Sequence, residues 1–321
     1  MKALIITYYW PPAGGSGVQR WLKFVKYLQD FDVEPVVYTI ADPKYPILDD
    51  SLGDQVPKNI EILRQPIWEP NNLLSFFKKE KSQSAGFLNP NPGVFGKIMQ
   101  YIRANYFIPD ARKFWIKPSV SYLEHYIQQN NIEVVITTGP PHSIHLIGLQ
   151  LKEKLNIKWI SDFRDPWTNI DYFHQLPLTK RAKATHIRME KEVLEKSDAV
   201  LVVGETMKEN YLKLNKNINV ITNGFDTDLT QNSKVILDRR FTLTHIGMMN
   251  SDRNPKLLWK VLAEICAEDS KFKSDLKINL VGKVAPQIIS ELQIFEKSTL
   301  DFIAYLPHSE VRAYQQKSQM L

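Results

Sequence analysis

Apolar runs alternate with helical apolar repeats along most of this 321-residue chain. Ala3–Tyr8 is a short apolar run that predicts a strand, and from Val18 to Leu28 apolar residues recur at helical spacing. This alternation is typical of an α/β fold in which helices cover a parallel sheet. The pattern predicts further strands at Glu34–Ile40, Ile60–Arg64, Glu133–Thr138, Lys158–Asp162 and Ala199–Val203, and further helices at Ser119–Gln129, Ile144–Leu155 and Lys180–Lys196.

The same alternation begins again after a polar stretch that ends at Arg240. We therefore predict an N-terminal domain over 1–222 with an insertion near 65–118, a linker over 223–240 and a second domain over 241–321. The second domain has about half of an ordinary domain of about 150 residues, so we expect it to be incomplete. Its predicted strands are Phe241–Ile246, Leu276–Val281 and Leu300–Tyr305, and its predicted helices are Pro255–Ala267, Pro286–Glu296 and a last one that starts near His308 and is still in pattern at Leu321.

The composition fits a globular protein of two domains, with 43% hydrophobic and 24% charged residues. No apolar run approaches the roughly 20 residues of a membrane-spanning helix. The N-terminal apolar run lacks a small-residue cleavage site and continues into a patterned helix, so we interpret it as a strand and not a signal peptide. A single cysteine, Cys266, excludes an internal disulfide and a cysteine-based zinc site. We expect a cytoplasmic protein.

The net charge of +6 is concentrated in one segment. Residues 78–117 carry eight basic residues against Glu80 and Asp110, which accounts for the whole excess, and aromatic residues are interleaved with them. Such a segment suggests an anionic membrane surface or another anionic partner, and a peripheral location at the inner face of the cytoplasmic membrane. The alternative is a solvated, flexible insertion, since residues 70–100 show little periodicity. No nucleic-acid motif accompanies the basic residues, so we predict no nucleic-acid partner.

A glycine-rich turn, PPAGGSGVQR, separates the first strand from the first helix. Gly14, Gly15 and Gly17 allow a ligand to approach the backbone closely, and the helix start beyond them offers N–H groups to an anion. The turn departs from G-x-G-x-x-G, and no acidic residue ends the second strand. These departures argue against a nicotinamide or flavin enzyme.

Two further strands end in polar turns. TTGPPHS would present His142 at the same sheet edge as the glycine turn, whereas His145 lies within the following helix and is expected to pack or to support a neighbour. DFRDPW brings Asp162, Arg164 and Asp165 to the end of the next strand. They either organise a polar substrate or form an internal ion-pair network.

The second half contains a related arrangement. In GMMNSDRNPKLL, a strand is followed by Gly247, a polar turn and Arg253 before a helix, where a guanidinium could bind a diphosphate. VITNGFD, at 220–226, is a turn signal. No group of His, Asp or Glu has convincing metal-ligand spacing, so we predict no metal site.

In this order, the motifs resemble GT-B glycosyltransferases, and in particular the large retaining "group 1" bacterial family. YYWPPAGGSGVQR is similar to the opening strand and glycine loop of that family. IPDARKFWIKP, TTGPPHS and DFRDPW resemble one bacterial branch, VITNGFD resembles the interdomain entry, and residues 247–258 resemble the first phosphate-binding turn of the donor domain.

The resemblance implies two Rossmann-like domains that face a cleft, with the acceptor bound by the first domain and the nucleotide-sugar by the second. It implies metal-independent transfer without a cofactor, from the nucleotide-sugar to a saccharide or lipid-linked acceptor in cell-surface polysaccharide biosynthesis. The catalytic candidates are His142, Arg164 and Asp165; the donor and phosphate candidates are Gly14, Gly15, Gly17, Gly247, Arg253 and Lys256; the acceptor-cleft candidates are Arg20, Asp110, Arg112, Trp115, Asp162 and Trp167.

Three departures from the family pattern bear on activity. Arg164 stands where many relatives have a histidine, and Met248 stands where an arginine is usual. The family's E-x7-E donor motif is expected beyond residue 321, so we expect this chain to transfer sugar poorly or not at all.

Two other functions fit the same architecture. A nucleotide-sugar epimerase would interconvert its substrate with no acceptor present. A non-catalytic module would bind a sugar nucleotide without turnover.

Overall fold

The computed structural model describes residues 1–45, 47–69, 93–224 and 236–321. The chain divides into two compact units. The first comprises Met1–Leu48 and Gln55–Phe225, and the second comprises Asp49–Asp54 and Asp226–Leu321. Each unit is built on its own parallel sheet.

The first unit contains a seven-stranded parallel sheet with the order β3-β2-β1-β4-β5-β6-β7. The central strand β1 is almost entirely apolar, and Ala3 to Ile6 are at most 1% exposed. It is paired on both sides, by Ile5 with Val37 and with Ile136, because a strand covered by helices on both faces needs apolar residues throughout. The strands are β1 (Lys2–Thr7), β2 (Glu34–Ile40), β3 (Glu61–Gln65), β4 (Val134–Gly139), β5 (Lys158–Phe163), β6 (Ala199–Val202) and β7 (Ile218–Val220).

Six α-helices lie within the described part of the first unit. Two of them correct the sequence prediction. α2 (Val94–Tyr106) lies partly in the stretch interpreted as irregular, where apolar positions recur at helical spacing from Val94 onward. The others are α1 (Ser16–Leu28), α3 (Lys113–Gln129), α4 (Ser143–Lys154), α5 (Lys180–Lys196) and α6 (Glu205–Tyr211).

The second correction concerns the start of α3, which begins six residues before the predicted Ser119 and includes Pro118. A proline inside a helix gives up one backbone hydrogen bond and therefore predicts a boundary. Tertiary packing outweighs that loss here. Trp115 is 1% exposed, and its ring stacks on Tyr38 at 5.1 Å between centroids.

The second unit contains a three-stranded parallel sheet, β10-β9-β8. The strands are β8 (Phe241–Ile246), β9 (Leu276–Val281) and β10 (Leu300–Ile303), and the helices are α7 (Lys256–Glu268), α8 (Ser270–Asp275), α9 (Pro286–Glu291) and α10 (His308–Lys317).

The last helix does not continue to Leu321 as the sequence pattern predicted. It ends at Lys317, and the residues after it return to the outer edge of β8. Thr244 N donates to Met320 O at 2.9 Å and Met320 N donates to Thr242 O at 3.1 Å. The unpaired edge of β8 supplies these partners, which local periodicity does not reveal.

None of the helices in the described residues is long and apolar enough to cross a membrane. Within the same residues, no group of three or more His, Cys, Asp or Glu side chains could hold a metal ion.

Candidate functional site

The glycine-rich turn follows β1 at the carboxyl edge of the first sheet. Gly15, the N-cap residue of α1, has a φ of 92°. Residues that carry a Cβ rarely adopt this backbone conformation. The turn is held from one side by Gly14 N, which donates to Ile47 O at 2.9 Å. The turn therefore leads into α1, whose first N–H groups lie at the edge where α/β sheets bind ligands. It contains Gly14, Gly15 and Gly17.

Arg164 joins this turn to the turn after β4. Its guanidinium donates to Gly17 O at 2.6 Å, Gly139 O at 3.2 Å and Pro140 O at 2.5 Å. A Cβ on Gly17 would lie 2.7 Å from Nη1 of Arg164, so a larger residue there would displace the guanidinium. Burial is the main cause that lowers the pKa of Arg164. Arg164, predicted as catalytic, is engaged in holding the two turns together.

Asp162 and Arg20 form an ion pair inside the first unit. Asp162 is 0% exposed and Arg20 is 6% exposed, and Nη2 of Arg20 lies 3.0 Å from Oδ1 of Asp162. The other carboxylate oxygen accepts from Trp21 Nε1 at 2.6 Å and Thr138 Oγ1 at 2.8 Å. A buried carboxylate is stable when every oxygen is bonded in this way. Asp162 and Arg20 thus form the internal network that the sequence left open, and their burial argues against direct contact with an acceptor.

Arg20 also holds the chain where it leaves the first sheet. Its Nη1 donates to Thr222 O at 3.1 Å and to Asn223 Oδ1 at 3.2 Å. Thr222 and Asn223 belong to the VITNGFD motif, whose last two residues lie outside the described part of the chain. One buried guanidinium therefore links α1, the end of β5 and the turn after β7.

Asp110 caps the helix that follows the PPHS turn. Its carboxylate accepts from Ser143 N at 2.9 Å and Ser143 Oγ at 3.0 Å, and also from Arg112 N at 2.8 Å. An acidic residue at a helix N-terminus is stabilised by the free N–H groups there. Asp110 therefore positions the start of α4, and its contact with an acceptor stays a prediction.

Arg112 and Trp115 are likewise occupied by protein contacts. Nε of Arg112 lies 2.8 Å from Oε1 of Glu69, and its Nη2 donates to Tyr8 Oη at 3.2 Å. Burial raises the pKa of Tyr8, which keeps its phenol neutral. The sequence prediction missed Tyr8 and Glu69, because no spacing signal connects residues so far apart.

All three catalytic candidates keep some exposed surface, but the guanidinium of Arg164 is bonded to backbone carbonyls. Asp165 is exposed and His142 is partly exposed. Trp167 is 3% exposed, and its ring stacks on the His142 ring at 4.8 Å and 3°. The stack excludes Trp167 from direct ligand contact and fixes the plane of the imidazole. Burial, followed by the charges of His145 and Arg164, lowers the pKa of His142 well below its usual range, so the ring is neutral at pH 7.

A cavity of about 290 Å³ opens beside this turn and the start of α6. It is lined by Pro166, Asn169, Val203, Gly204, Thr206, Met207, Asn210 and Tyr211.

In the second unit, two glycines meet at the carboxyl edge of the sheet. Gly247 has a φ of 128° and Gly282 has a φ of 113°, and a Cβ on Gly282 would lie 2.5 Å from Gly247 O. The turns that follow are joined by Met249 N, which donates to Lys283 O at 2.9 Å. Gly247 was predicted from the sequence as a site residue, whereas Gly282 was not. A glycine directly after β9 is the sequence signal that could have identified Gly282.

Arg253 and Lys256 follow Gly247 but differ in their surroundings. Arg253 is exposed at the end of a short 3-10 turn that is capped by the Asn250 side chain. Nζ of Lys256 lies 3.6 Å from Oε1 of Glu291. This exposed ion pair competes with the predicted role of Lys256 in phosphate binding, although such pairs are weak. Arg253 is the better phosphate candidate of the two.

Comparisons with known proteins bear on the family and the fold of this chain. Residues 88–229 match the family model described as Glycosyltransferase Family 4. A sequence search of curated proteins finds no match.

Solved structures of similar fold cover nearly the whole chain. A glycosyltransferase from Rickettsia africae is 14% identical with a TM-score of 0.53 over 98% of this chain and 71% of its own. TarM is 12% identical with a TM-score of 0.59, over 97% and 78% of the two chains. WaaG, a glycosyltransferase involved in lipopolysaccharide biosynthesis, is 11% identical with a TM-score of 0.52, over 98% and 73%. At these identities the likeness shows the fold, and the predicted α/β class with GT-B architecture is confirmed.

Proposed function

We propose that this chain, whose residues 88–229 match a glycosyltransferase family model and whose fold is GT-B, transfers a sugar from a nucleotide-sugar donor to a saccharide or lipid-linked acceptor. The observation that carries the proposal is the convergence of three turns on the carboxyl edge of the first sheet. Arg164 bonds the glycine turn to the turn after β4, and Asp165 directly follows Arg164. Asp110, from the IPDARKFWIKP motif, accepts from Ser143 N in the turn after β4. Hydrogen bonds therefore connect four of the sequence motifs.

In the first unit, the exposed polar groups suit a sugar substrate. The backbone N–H groups at the start of α1 favour an anionic or electron-rich oxygen. Asp165 offers a carboxylate that can accept hydrogen bonds from sugar hydroxyls. The neutral His142 ring lies on Trp167 with an edge exposed. These groups are our candidates for contacts with the acceptor and the reacting sugar.

In the second unit, the turn after β8 suits the diphosphate of the donor. Gly247, where a Cβ would meet nothing within 4 Å, leaves the backbone accessible at the end of β8, and Arg253 supplies an exposed guanidinium. A guanidinium binds phosphate oxygens with two parallel hydrogen bonds and remains charged at all relevant pH values. We propose that Arg253 stabilises the leaving diphosphate, so that transfer needs no metal ion.

The test is an acceptor-dependence assay with the purified chain. A panel of nucleotide-sugars is incubated with and without saccharide and lipid-linked acceptors, in the presence and absence of EDTA. We expect nucleoside diphosphate release that depends on the acceptor and is insensitive to EDTA, and an Asp165→Asn variant with lower turnover. The assay also tests the sequence-based expectation of weak turnover, and NMR of the product anomer tests retention.

Two outcomes would contradict the proposal. Interconversion of the nucleotide-sugar without an acceptor would favour an epimerase. Binding by calorimetry without any turnover would favour a binding module.

A second proposal concerns α2. We propose that this helix binds an anionic membrane surface at the cytoplasmic face, where an enzyme of surface polysaccharide synthesis would meet a lipid-linked acceptor. The part of the basic segment that the structure describes includes α2, in which no residue is buried. Val94, Phe95 and Ile98 are 79%, 64% and 51% exposed, and Lys97 lies among them. Exposed apolar residues with adjacent cations are typical of helices that lie in a membrane interface.

Co-sedimentation with vesicles tests this second proposal. Vesicles with anionic lipid should retain the chain, and neutral vesicles should retain less. Ile98→Ser should weaken the retention, whereas Phe31→Ser, which changes an exposed residue outside the segment, should not. Equal retention by both lipid compositions would contradict the proposal, as would equal effects of the two substitutions. Lys78, Lys79 and Lys81 of the basic segment lie outside the described residues.

A further inference from the structure

Two histidines beside the first sheet carry buried nitrogens that have no hydrogen-bond partner. His145 is 0% exposed and its Nε2 is unpaired, as is the buried Nδ1 of His142. Both nitrogens approach Gly139. A Cβ built there would lie 2.6 Å from Nε2 of His145 and 3.3 Å from Nδ1 of His142. The two nitrogens therefore share one small space, with the ring centroids 5.9 Å apart.

A hydrogen-bond chain sets the tautomer of His145. The indole Nε1 of Trp159, which can only donate, donates to Thr137 Oγ1 at 3.0 Å. Thr137 Oγ1 lies 2.9 Å from Nδ1 of His145, so the threonine proton, which the bond from Trp159 leaves unused, is available to that nitrogen. Burial lowers the pKa of His145 to about 3, which leaves the ring neutral with one proton. With Nδ1 as the acceptor of the threonine proton, the ring proton of His145 lies on Nε2.

The tautomer of His142 follows from that of His145. Nε2 of His145 and Nδ1 of His142 both lie near the Cβ position of Gly139 without a hydrogen bond between them, and two N–H groups in that buried space would repel. Nδ1 of His142 is therefore the acceptor. Because Nδ1 is the buried, unpaired nitrogen and the residue is partly exposed, Nε2 lies on the exposed side of the ring. Stacking on Trp167, whose Nε1 donates to His186 Nδ1 at 3.0 Å, holds the plane of the His142 ring.

We propose that His145 is a positioning residue that holds His142 in the Nε2–H tautomer, so that His142 presents a neutral hydrogen-bond donor to a sugar oxygen. This inference rests on the proposed function for the nature of the ligand. It changes the role of His142, since a nitrogen that already carries a proton donates a hydrogen bond to the substrate and does not remove a proton from it. His145 acts only through His142.

The tautomer is measured directly by long-range proton–nitrogen NMR of histidine-labelled protein at pH 7, without substrate. Signals of His142 are assigned by their loss in a His142→Asn variant. We expect Nδ1 of His142 to be unprotonated and Nε2 to be protonated. A proton on Nδ1 of His142 in the unsubstituted protein would overturn the proposal, and this measurement does not depend on the folding of any His145 variant.

Substitution of His145 tests the positioning role. His145→Phe keeps a ring against Phe163 but removes the donor, so His142 should become a mixture of tautomers. His145→Gln, whose side-chain amide can donate, should retain the original tautomer. His125→Phe, an exposed control on α3, should leave the His142 signals unchanged. An unchanged His142 spectrum in folded His145→Phe would contradict the proposal.

Turnover provides the second measurement. His145→Phe should lower sugar transfer about tenfold, which corresponds to about 1.4 kcal/mol, the scale of one neutral hydrogen bond. His145→Gln should recover most of the rate. Unchanged turnover in a variant whose His142 tautomer has shifted would overturn the donor role. Absence of any transfer by the unsubstituted chain would contradict the proposed function and leave the tautomer result standing.

Discussion

Arg20 and Asp162 are the residues whose role changes most between sequence and structure. Both lie in motifs that suggested substrate contacts, yet their side chains are 2% and 0% exposed. Paired charges in such a position are tolerated because four donors saturate the two carboxylate oxygens. Removal of either charge leaves the other buried without a partner of opposite charge.

We therefore predict that Asp162→Asn destabilises the first unit strongly. Breaking a buried ion pair by changing one partner costs about 3 to 5 kcal/mol. Urea denaturation followed by tryptophan fluorescence measures the loss. The control is Glu195→Gln, whose partner Lys191 lies 3.7 Å away on the surface of α5, and which should cost less than about 1 kcal/mol. Equal effects of the two substitutions would contradict the assignment of Asp162 to a buried network.

A second residue-scale prediction concerns acid sensitivity. Burial lowers the pKa of His145 from 6.5 to about 3, and burial also lowers the pKa of His142 and His186. Below about pH 6.5 the unfolded chain binds protons that the folded chain does not, so stability falls as pH falls, by about 1.4 kcal/mol per pH unit for each such histidine.

The free energy of unfolding, measured by urea at pH 7 and pH 5, should therefore decrease on acidification. His145→Gln should reduce the pH dependence, whereas His125→Gln, on the surface of α3, should not. An unchanged slope in His145→Gln would show that His145 titrates normally in the folded protein.

At the scale of elements, α4 lies unusually close to the sheet and thereby positions both histidines. A Cβ on Gly148, in the middle of α4, would lie 2.3 Å from Trp159 Nε1 and 2.7 Å from Thr137 Cγ2. Glycine thus occurs inside a helix, despite its poor helix propensity, because the helix approaches β4 and β5 so closely. The same approach places His145 against Thr137.

We predict that Gly148→Ala destabilises the first unit by about 1 to 3 kcal/mol, since overpacking forces α4 away from the sheet. In a solvent-exposed helix the same change would stabilise the protein. The matched control is Gly204→Ala, where a Cβ meets nothing within 4 Å. Thermal unfolding of both variants tests this, and a gain of stability in Gly148→Ala would contradict the close packing.

At the scale of the whole molecule, the chain consists of two α/β units of unequal size, each with glycine-containing turns at the carboxyl edge of its own sheet. The first unit has seven strands and the second has three within the described residues. In the first unit, the hydrogen bonds of Arg20, Asp110 and Arg164 join residues of that same unit. The diphosphate contact proposed for the second unit can therefore be tested by itself.

We accordingly predict that Arg253→Gln weakens binding of uridine diphosphate about tenfold or more, since hydrogen bonds to a charged group contribute about 1.5 to 3 kcal/mol. Calorimetry at low and high salt should show that part of the loss is electrostatic. Lys271→Gln, another exposed cation of the second unit, should have little effect. An unchanged dissociation constant in Arg253→Gln would contradict its role at the diphosphate.

The alternation of strands and helices was predictable because it depends on local periodicity. Glu34–Ile40, Lys180–Lys196 and Phe241–Ile246 were predicted with the observed bounds. Predictions were wrong where distant contacts decide, as at the start of α3, where burial of Trp115 outweighs Pro118. The strand β7, with only three residues, is too short to produce a periodic signal.

The sequence by itself determined the fold class, the order of the motifs and the edge of the sheet at which the turns meet, because all strands of a parallel sheet place their carboxyl ends at the same edge. Only the tertiary structure decided which motif residues remain available to a ligand. Arg164, Asp162, Arg20 and Asp110 are engaged by carbonyls, charges and helix ends that lie far away in the chain, whereas Asp165 and one edge of His142 stay exposed. The physical reason is that burial and hydrogen-bond saturation depend on partners which a local pattern does not encode.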